Sequence, residues 1–192
     1  INGCCNMYHP SQALADMLTV KEIFGRYNIK MMYIGIKNNV LNSLAEILPL
    51  LGGQLYAMTP IVNEPSIDME LITKAKATGR YFELDPNMPY EEFKKLVNGM
   101  NVLYTDSWID MEFFNAPEYA KTKAERIEKM MPFQINAELL RSSQAIVMHD
   151  MPIHAGYEIS REIVENNIDF ILRQAENRRH AEKGILHKML IG

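Results

Sequence analysis

The chain has no disulfide framework: its two cysteines, Cys4 and Cys5, are adjacent, and adjacent cysteines rarely bridge each other because the ring is strained. A reducing cytoplasm is the simplest expectation for such a chain. No apolar run approaches the length of a membrane span and no signal-peptide pattern is present, which argues against a membrane partner. Neither sign of charge dominates. The net charge is −4 with acids and bases mixed along the chain, whereas a nucleic-acid partner usually requires a basic face. The G-x-G-x-x-G fingerprint is missing. The turn where it would sit, Gly35-Ile36-Lys37-Asn38-Asn39, holds one glycine, which argues against NAD. No Ser or Cys sits in a nucleophile elbow, so covalent hydrolase chemistry is not indicated. His149 and His154 are five apart with Asp150 between them, and no Cys or His pair has zinc spacing, so neither metal nor cofactor is expected. An initiator Met is lacking too. The chain opens Ile1-Asn2-Gly3-Cys4-Cys5 and is expected to begin inside a longer protein.

What is present is ample core material. A content of 47% hydrophobic and 23% charged residues over 192 positions is that of a globular domain large enough to fold without disulfides or metals. The spacing predicts a helix from Gln12 to Phe24, after a loop stiffened by Pro10. A buried strand follows over Lys30–Ile36, then a helix from Asn38 or Asn39 to Leu51, which opens a βαβ unit. The alternation continues with a strand over Gln54–Met58 ended by Thr59-Pro60, and a helix over Ser66–Thr78 capped by Ser66. A strand over Arg80–Leu84 and a helix over Tyr90–Gly99 come next. Beyond the Val102–Thr105 strand, helices are expected over Pro117–Met130 and Asn136–Ser143, then a strand over Ala145–Met148. Arg161–Glu165 reads as helical, and Ile171–Leu190 as a long helix with one polar face. Five strands alternating with helices predict an α/β fold: a doubly wound five-stranded parallel sheet with helices on both faces, plus a long C-terminal helix.

Ligands of such sheets gather at the carboxyl ends of the strands, and four predicted strand ends are polar. They are Lys37-Asn38-Asn39, Asp85, Thr105-Asp106-Ser107 with Asp110, and His149-Asp150. Asn38 or Asn39 at a helix start suits a cap better than a ligand contact, whereas Asp106 suits either role equally. Trp108 is read as core, although indoles also line pockets. The stretch Met148–His154 holds two imidazoles, a carboxylate and a proline, and is either a site loop or a capped turn. Arg178-Arg179 is either a solvated helix face or a clamp for phosphate or carboxylate.

Taken together these clusters resemble the ornithine carbamoyltransferases of the aspartate/ornithine carbamoyltransferase family. His9-Pro10-Ser11-Gln12-Ala13-Leu14-Ala15-Asp16 is similar to the family's H-P-x-Q-A-L-x-D. Asn38-Asn39-Val40-Leu41-Asn42-Ser43-Leu44 is similar to N-N-V-x-N-S-L, and Tyr104-Thr105-Asp106-Ser107-Trp108 to Y-T-D-x-W. Phe133-Gln134-Ile135-Asn136 is similar to Y-Q-V-N, and Ala175-Glu176-Asn177-Arg178-Arg179-His180 to A-E-N-R-x-H. Met148-His149-Asp150-Met151-Pro152 stands where the family has M-H-C-L-P. Six motifs in order along the chain make a specific signal.

The resemblance implies transfer of the carbamoyl group of carbamoyl phosphate to an amine of an ornithine-like amino acid, within arginine metabolism. It implies that residues 1–15 end the carbamoyl-phosphate domain and its linker and that 16–170 form the amino-acid-binding domain. Residues 171–192 would be a helix packing back on the carbamoyl-phosphate domain, which lies outside this chain together with its S-x-R-T-R phosphate loop. The fragment alone is expected to be inactive. By resemblance His9 and Asp150 are catalytic, and His9, Gln12, Asp150, Met151 and Arg178 bind carbamoyl phosphate. Asn39, Asp106, Asp110 and Met111 bind the amino acid, and the parent is a homo-oligomer based on trimers. Three departures stand out. The family's S-M-G is Asp110-Met111-Glu112, its G-D-x-N-N turn has lost the aspartate, and its H-C-L-P cysteine is Asp150. A carboxylate there favours the unreactive ammonium, whereas a carboxyl of raised pKa could take the proton from it. Two alternatives therefore stand beside the ornithine reading: a carbamoyltransferase for a different amine, and a non-catalytic binding or assembly paralogue.

Overall fold

The computed structural model describes residues 1–109 and 114–192. Its centre is a five-stranded parallel sheet of order β3-β2-β1-β4-β5. The strands are β1 (Lys30–Lys37), β2 (Gln54–Val62), β3 (Tyr81–Glu83), β4 (Val102–Thr105) and β5 (Ile146–His149). The helices are α1 (Pro10–Phe24), α2 (Asn39–Leu50), α3 (Met69–Ala77), α4 (Tyr90–Asn98), α5 (Ala120–Met130) and α6 (Arg161–Leu190). Both faces of the sheet are covered, so the central strands are apolar at consecutive positions. On β1, Met31 and Tyr33 join one core with Met17 and Val20 of α1 and Leu41, Leu44 and Leu48 of α2. Met32 and Ile34 point the other way, into a core with Phe93 and Val97 of α4 and Ile163 of α6. The expected α/β fold is the observed one.

The differences have local causes. β2 does not stop at Thr59-Pro60 but runs to Val62. The pairing with β1 steps from Ile34↔Met58 to Ile36↔Ile61, so Thr59 and Pro60 together face Gly35 in a bulge. A missing N–H is tolerated in a bulge. The helix expected from Ser66 starts at Met69, because the Asp68 carboxylate accepts the Leu71 N–H at 2.9 Å and takes the capping position. Ser66 instead ends a 3-10 turn over Glu64–Ser66. The segment from Pro117 begins with a 3-10 turn over Pro117–Tyr119 before α5. The helix expected over Asn136–Ser143 is a run of turns. Asn136 Oδ1 accepts the Leu139 N–H, but later bonds such as Ser143 N–H to Leu140 O span three residues, and the segment never enters an α ladder.

The two C-terminal helical segments are one helix of 30 residues, α6. It begins on the α4 face, where Ile163 is buried, and continues past β5 to pack against α1. In passing it covers the edge of the sheet. Asn167 Oδ1 accepts the Val147 N–H at 2.9 Å and Gln174 Oε1 accepts the His149 N–H at 2.8 Å. These are alternate N–H groups on the outer side of β5, which a strand edge would otherwise leave unpaired. Beyond Asn177 no residue of α6 is buried.

Candidate functional site

Strand order reverses between β1 and β4, and in open α/β sheets the crevice for a ligand lies at such a reversal. The residues that follow β1 and β4 meet across it. Asn38 caps α2, its Oδ1 accepting the Val40 and Leu41 N–H groups, while its Nδ2 donates to Asp106 Oδ2 at 2.5 Å. Asp106 Oδ1 accepts the Ser107 N–H at 2.6 Å. Thr105 pairs with His149 in register, so Asp150 comes next to Asp106 and the two carboxyls face each other. Asp106 has two donors. Asp150 Oδ1 is buried with no hydrogen-bond partner, on a side chain only 9% exposed. Burial first, and then the Asp106 charge, push the Asp150 carboxyl well above the usual carboxylate range.

The loop after β5 is shaped by His149. Its Nδ1 accepts the Met151 N–H at 2.9 Å, which requires a lone pair there and leaves the ring proton on Nε2, 3.3 Å from Glu158 Oε1. Met151 has φ of 59°, an uncommon left-handed backbone for a residue with a side chain, and its side chain is exposed. Ser107 Oγ donates to Pro152 O at 2.6 Å and ties this loop to the end of β4.

The start of α1 faces α6 at the same edge. His9 is buried, and its Nε2 lies 3.4 Å from Arg178 Nη2. Burial first, then the Arg178 guanidinium, lower the His9 pKa, so the ring is neutral at neutral pH. With Nε2 toward the guanidinium, Nδ1 carries the ring proton and is directed to the Gly3 backbone carbonyl. One turn on, Gln12 Nε2 donates to Asp16 Oδ1 at 2.8 Å, and Gln12 Oε1 is buried without a partner. The group therefore offers neutral donors and acceptors (His9, Gln12), one cation (Arg178) and a pair of carboxyls (Asp106, Asp150). Among the described residues no group of three or more His, Cys, Asp or Glu side chains is placed to hold a metal ion.

Not every predicted residue joins this group. Asp85 accepts from the Asn87 N–H in a turn after β3, on the far edge of the sheet, because β3 is an outer strand. Asn39 Nδ2 donates to Cys5 O at 2.8 Å, so its side chain is turned to the segment before α1, and Asn38 is the residue that reaches Asp106. Trp108 is buried, as its core reading requires. Asp110 and Met111, like Glu112, lie outside the described residues. Of two residues with a direct hold on the group, Asp16 stood in the sequence only as the end of a motif, without a role, and Gln174 was not singled out. Their signal was a carboxylate and an amide on otherwise core-facing helix positions.

The Asp/Orn binding domain of aspartate/ornithine carbamoyltransferase matches residues 27–189. The ornithine carbamoyltransferase of Archaeoglobus fulgidus is 36% identical over 195 residues, covering 99% of this chain and 59% of that protein. That of Thermus thermophilus is also 36% identical, with 58% of its length covered. The solved structure of the Pyrococcus furiosus ornithine carbamoyltransferase superimposes with a TM-score of 0.79 at 32% identity, over 97% of this chain and 58% of that one. This chain thus spans under two thirds of the length of these relatives, and it belongs to the aspartate/ornithine carbamoyltransferase family through its Asp/Orn binding domain.

Proposed function

We propose that the whole protein moves the carbamoyl group of carbamoyl phosphate to an amine, with this chain supplying the acceptor side of the site and part of the donor side. The observation that carries this reading is the convergence of His9, Gln12 and Arg178 with the Asp106–Asp150 pair at one sheet edge. Arg178 attracts the phosphate. By family resemblance His9 contacts the carbamoyl group, beside the Arg178 guanidinium, which stabilises the charge developing on the carbamoyl oxygen. Gln12 Oε1 accepts from the carbamoyl N–H groups, and Met151 borders the donor. The amine nitrogen forms a bond to the carbamoyl carbon, the bond from that carbon to the phosphate oxygen breaks, and phosphate departs. The ammonium proton passes to the ionised form of Asp150, whose raised pKa makes it a stronger base than an ordinary carboxylate. Asp106 holds a second cationic group of the acceptor. By family resemblance Asp110 and Met111 contact the acceptor's head group, and Asn38 rather than Asn39 stands beside Asp106.

The acidic pair favours an acceptor other than ornithine as a second form of the same reading, because the family's cysteine has become a carboxyl. We place the whole protein in the cytoplasm as a trimer-based homo-oligomer by the same resemblance. Among the described residues no helix is long and apolar enough to cross a membrane. The apolar end of α6 rests against the remainder of the whole protein. The test is a panel of amines offered to the whole protein with carbamoyl phosphate, read by a ureido-group colour assay. At least one amine is carbamoylated, Arg178→Ala weakens carbamoyl phosphate about tenfold or more, and Asp150→Cys shifts the panel toward ornithine. No product with any amine removes the catalytic reading and leaves a binding or assembly role.

A further inference from the structure

The proposed chemistry gives no role to Asp16, a buried ionisable group. Asp16 on α1 is fully inaccessible and lies in the contact between α1 and α6. Its Oδ1 accepts from Gln12 Nε2 at 2.8 Å and from Gln174 Nε2 at 2.7 Å. The orientation of the Gln174 amide is determined from its other end, because its Oε1 must accept the His149 N–H. Nε2 therefore faces Asp16, and Asp16 Oδ1 must act as acceptor. Gln12 can meet that same oxygen only with its own N–H. One carboxylate oxygen thus sets both amides. The consequence for Gln12 is an Oε1 that is buried and has no partner on the protein.

We propose that Asp16 is a positioning residue, which with Gln174 holds the Gln12 amide in one orientation and joins it to the end of β5 that carries Asp150. The inference rests on the carbamoyl-transfer reading. A hydrogen-bonded line runs from Gln12 through Asp16 and Gln174 to the His149 backbone, linking the donor side of the site to the acceptor side. Gln174 Nε2 also lies 3.2 Å from the Tyr104 hydroxyl, so β4 supports the same junction. A buried amide with neither end fixed can turn over and present N–H groups to the N–H groups of a carbamoyl donor. Fixing one end prevents this, and the ordering is complete before the ligand arrives.

The test is isothermal titration of the whole protein with carbamoyl phosphate. Asp16→Leu, alike in its γ-branched shape but unable to accept, binds about tenfold more weakly, the size expected from losing one oriented hydrogen bond. Asp16→Asn keeps an acceptor oxygen and recovers affinity to within about threefold of wild type. A merely structural role lowers the fraction of binding-competent protein and leaves the affinity of that fraction unchanged. The Gln12 side-chain amide signals, assigned by their loss in Gln12→Leu, move in Asp16→Leu without any ligand present. Should Asp16→Leu fail to fold, Gln174→Met carries the same expectation. Unchanged affinity in Asp16→Leu, or Asp16→Asn as weak as Asp16→Leu, overturns the inference while the functional reading stands. No carbamoyl phosphate binding by wild type overturns both.

Discussion

A carboxyl at position 150 changes the chemistry open to the end of β5. In the proposed reaction a thiol in this place would meet the acceptor amine without competing for its proton. Asp150 faces Asp106 from β4, and Asp16 of α1 adds negative charge. The Tyr33 and Tyr104 rings lie within reach of its charge, and His149 Nδ1 is 3.7 Å from its Oδ1. Burial and the two acids all act in one direction, holding the proton on Asp150. A general base works only when ionised, so the rate should fall as pH drops through the raised pKa, well before ordinary carboxylates titrate. Asp150→Asn removes this acidic limb from the pH profile of kcat and lowers kcat by about 10²–10⁴-fold, the usual worth of a positioned base. A profile of kcat that is the same in wild type and variant would end the case for Asp150 as the base.

At the scale of elements, the sheet's outer edge shows how a helix can complete a strand. The Val147 N–H is buried and reaches only the Asn167 side chain of α6. Removing that acceptor leaves a buried donor unsatisfied, at a cost of about 1–3 kcal/mol. Asn167→Ala should therefore lower the urea midpoint, while Asn166→Ala, one position along and exposed, should not. Equal midpoints would mean that another group satisfies the strand. The same edge explains what the sequence made legible. Polar residues after apolar runs pointed to Asp106 and Asp150 as candidates, and the fold brings the two together, because a parallel sheet gathers its strand ends along one side. His9 and Gln12 came only through motif resemblance, and Arg178 was readable on its own only as a clamp or a solvated helix face, since a helix start and a helix face carry no such local signal. Asp16 stood in a motif but without a role, and Gln174 stayed hidden, because their value depends on two helices meeting 158 positions apart in sequence. The turns over 136–143 were misread because apolar spacing does not report whether the backbone bonds span three residues or four. Asn38 and Asn39 were distinguishable only by where each side chain points.

For the whole molecule, the polarity of α6 changes meaning along its length. Its middle, through Gln174 and Asn177, is polar yet buried, because Asp16, Thr19 and Glu22 of α1 face it. Its last turns reverse this: Leu186, Met189 and Leu190 are 46%, 63% and 80% exposed. Together with Leu14 and Leu18 of α1, Met189 and Ile185 line an apolar groove between the two helices. Apolar surface of this kind costs free energy while it faces water, at about 25 cal/mol per Å². The relatives carry about 40% more of their own length than this chain matches, since 59% of the Archaeoglobus protein is covered. Our reading lays the end of α6 against that remainder. A thiol introduced by Met189→Cys, in a background with Cys4→Ser and Cys5→Ser, should alkylate at the rate of a free thiol in the isolated chain. In the whole protein it should react at least about tenfold more slowly, as a thiol reachable only through local opening does. Equal rates in the two would leave the helix end exposed in both, and its apolar residues would need another explanation.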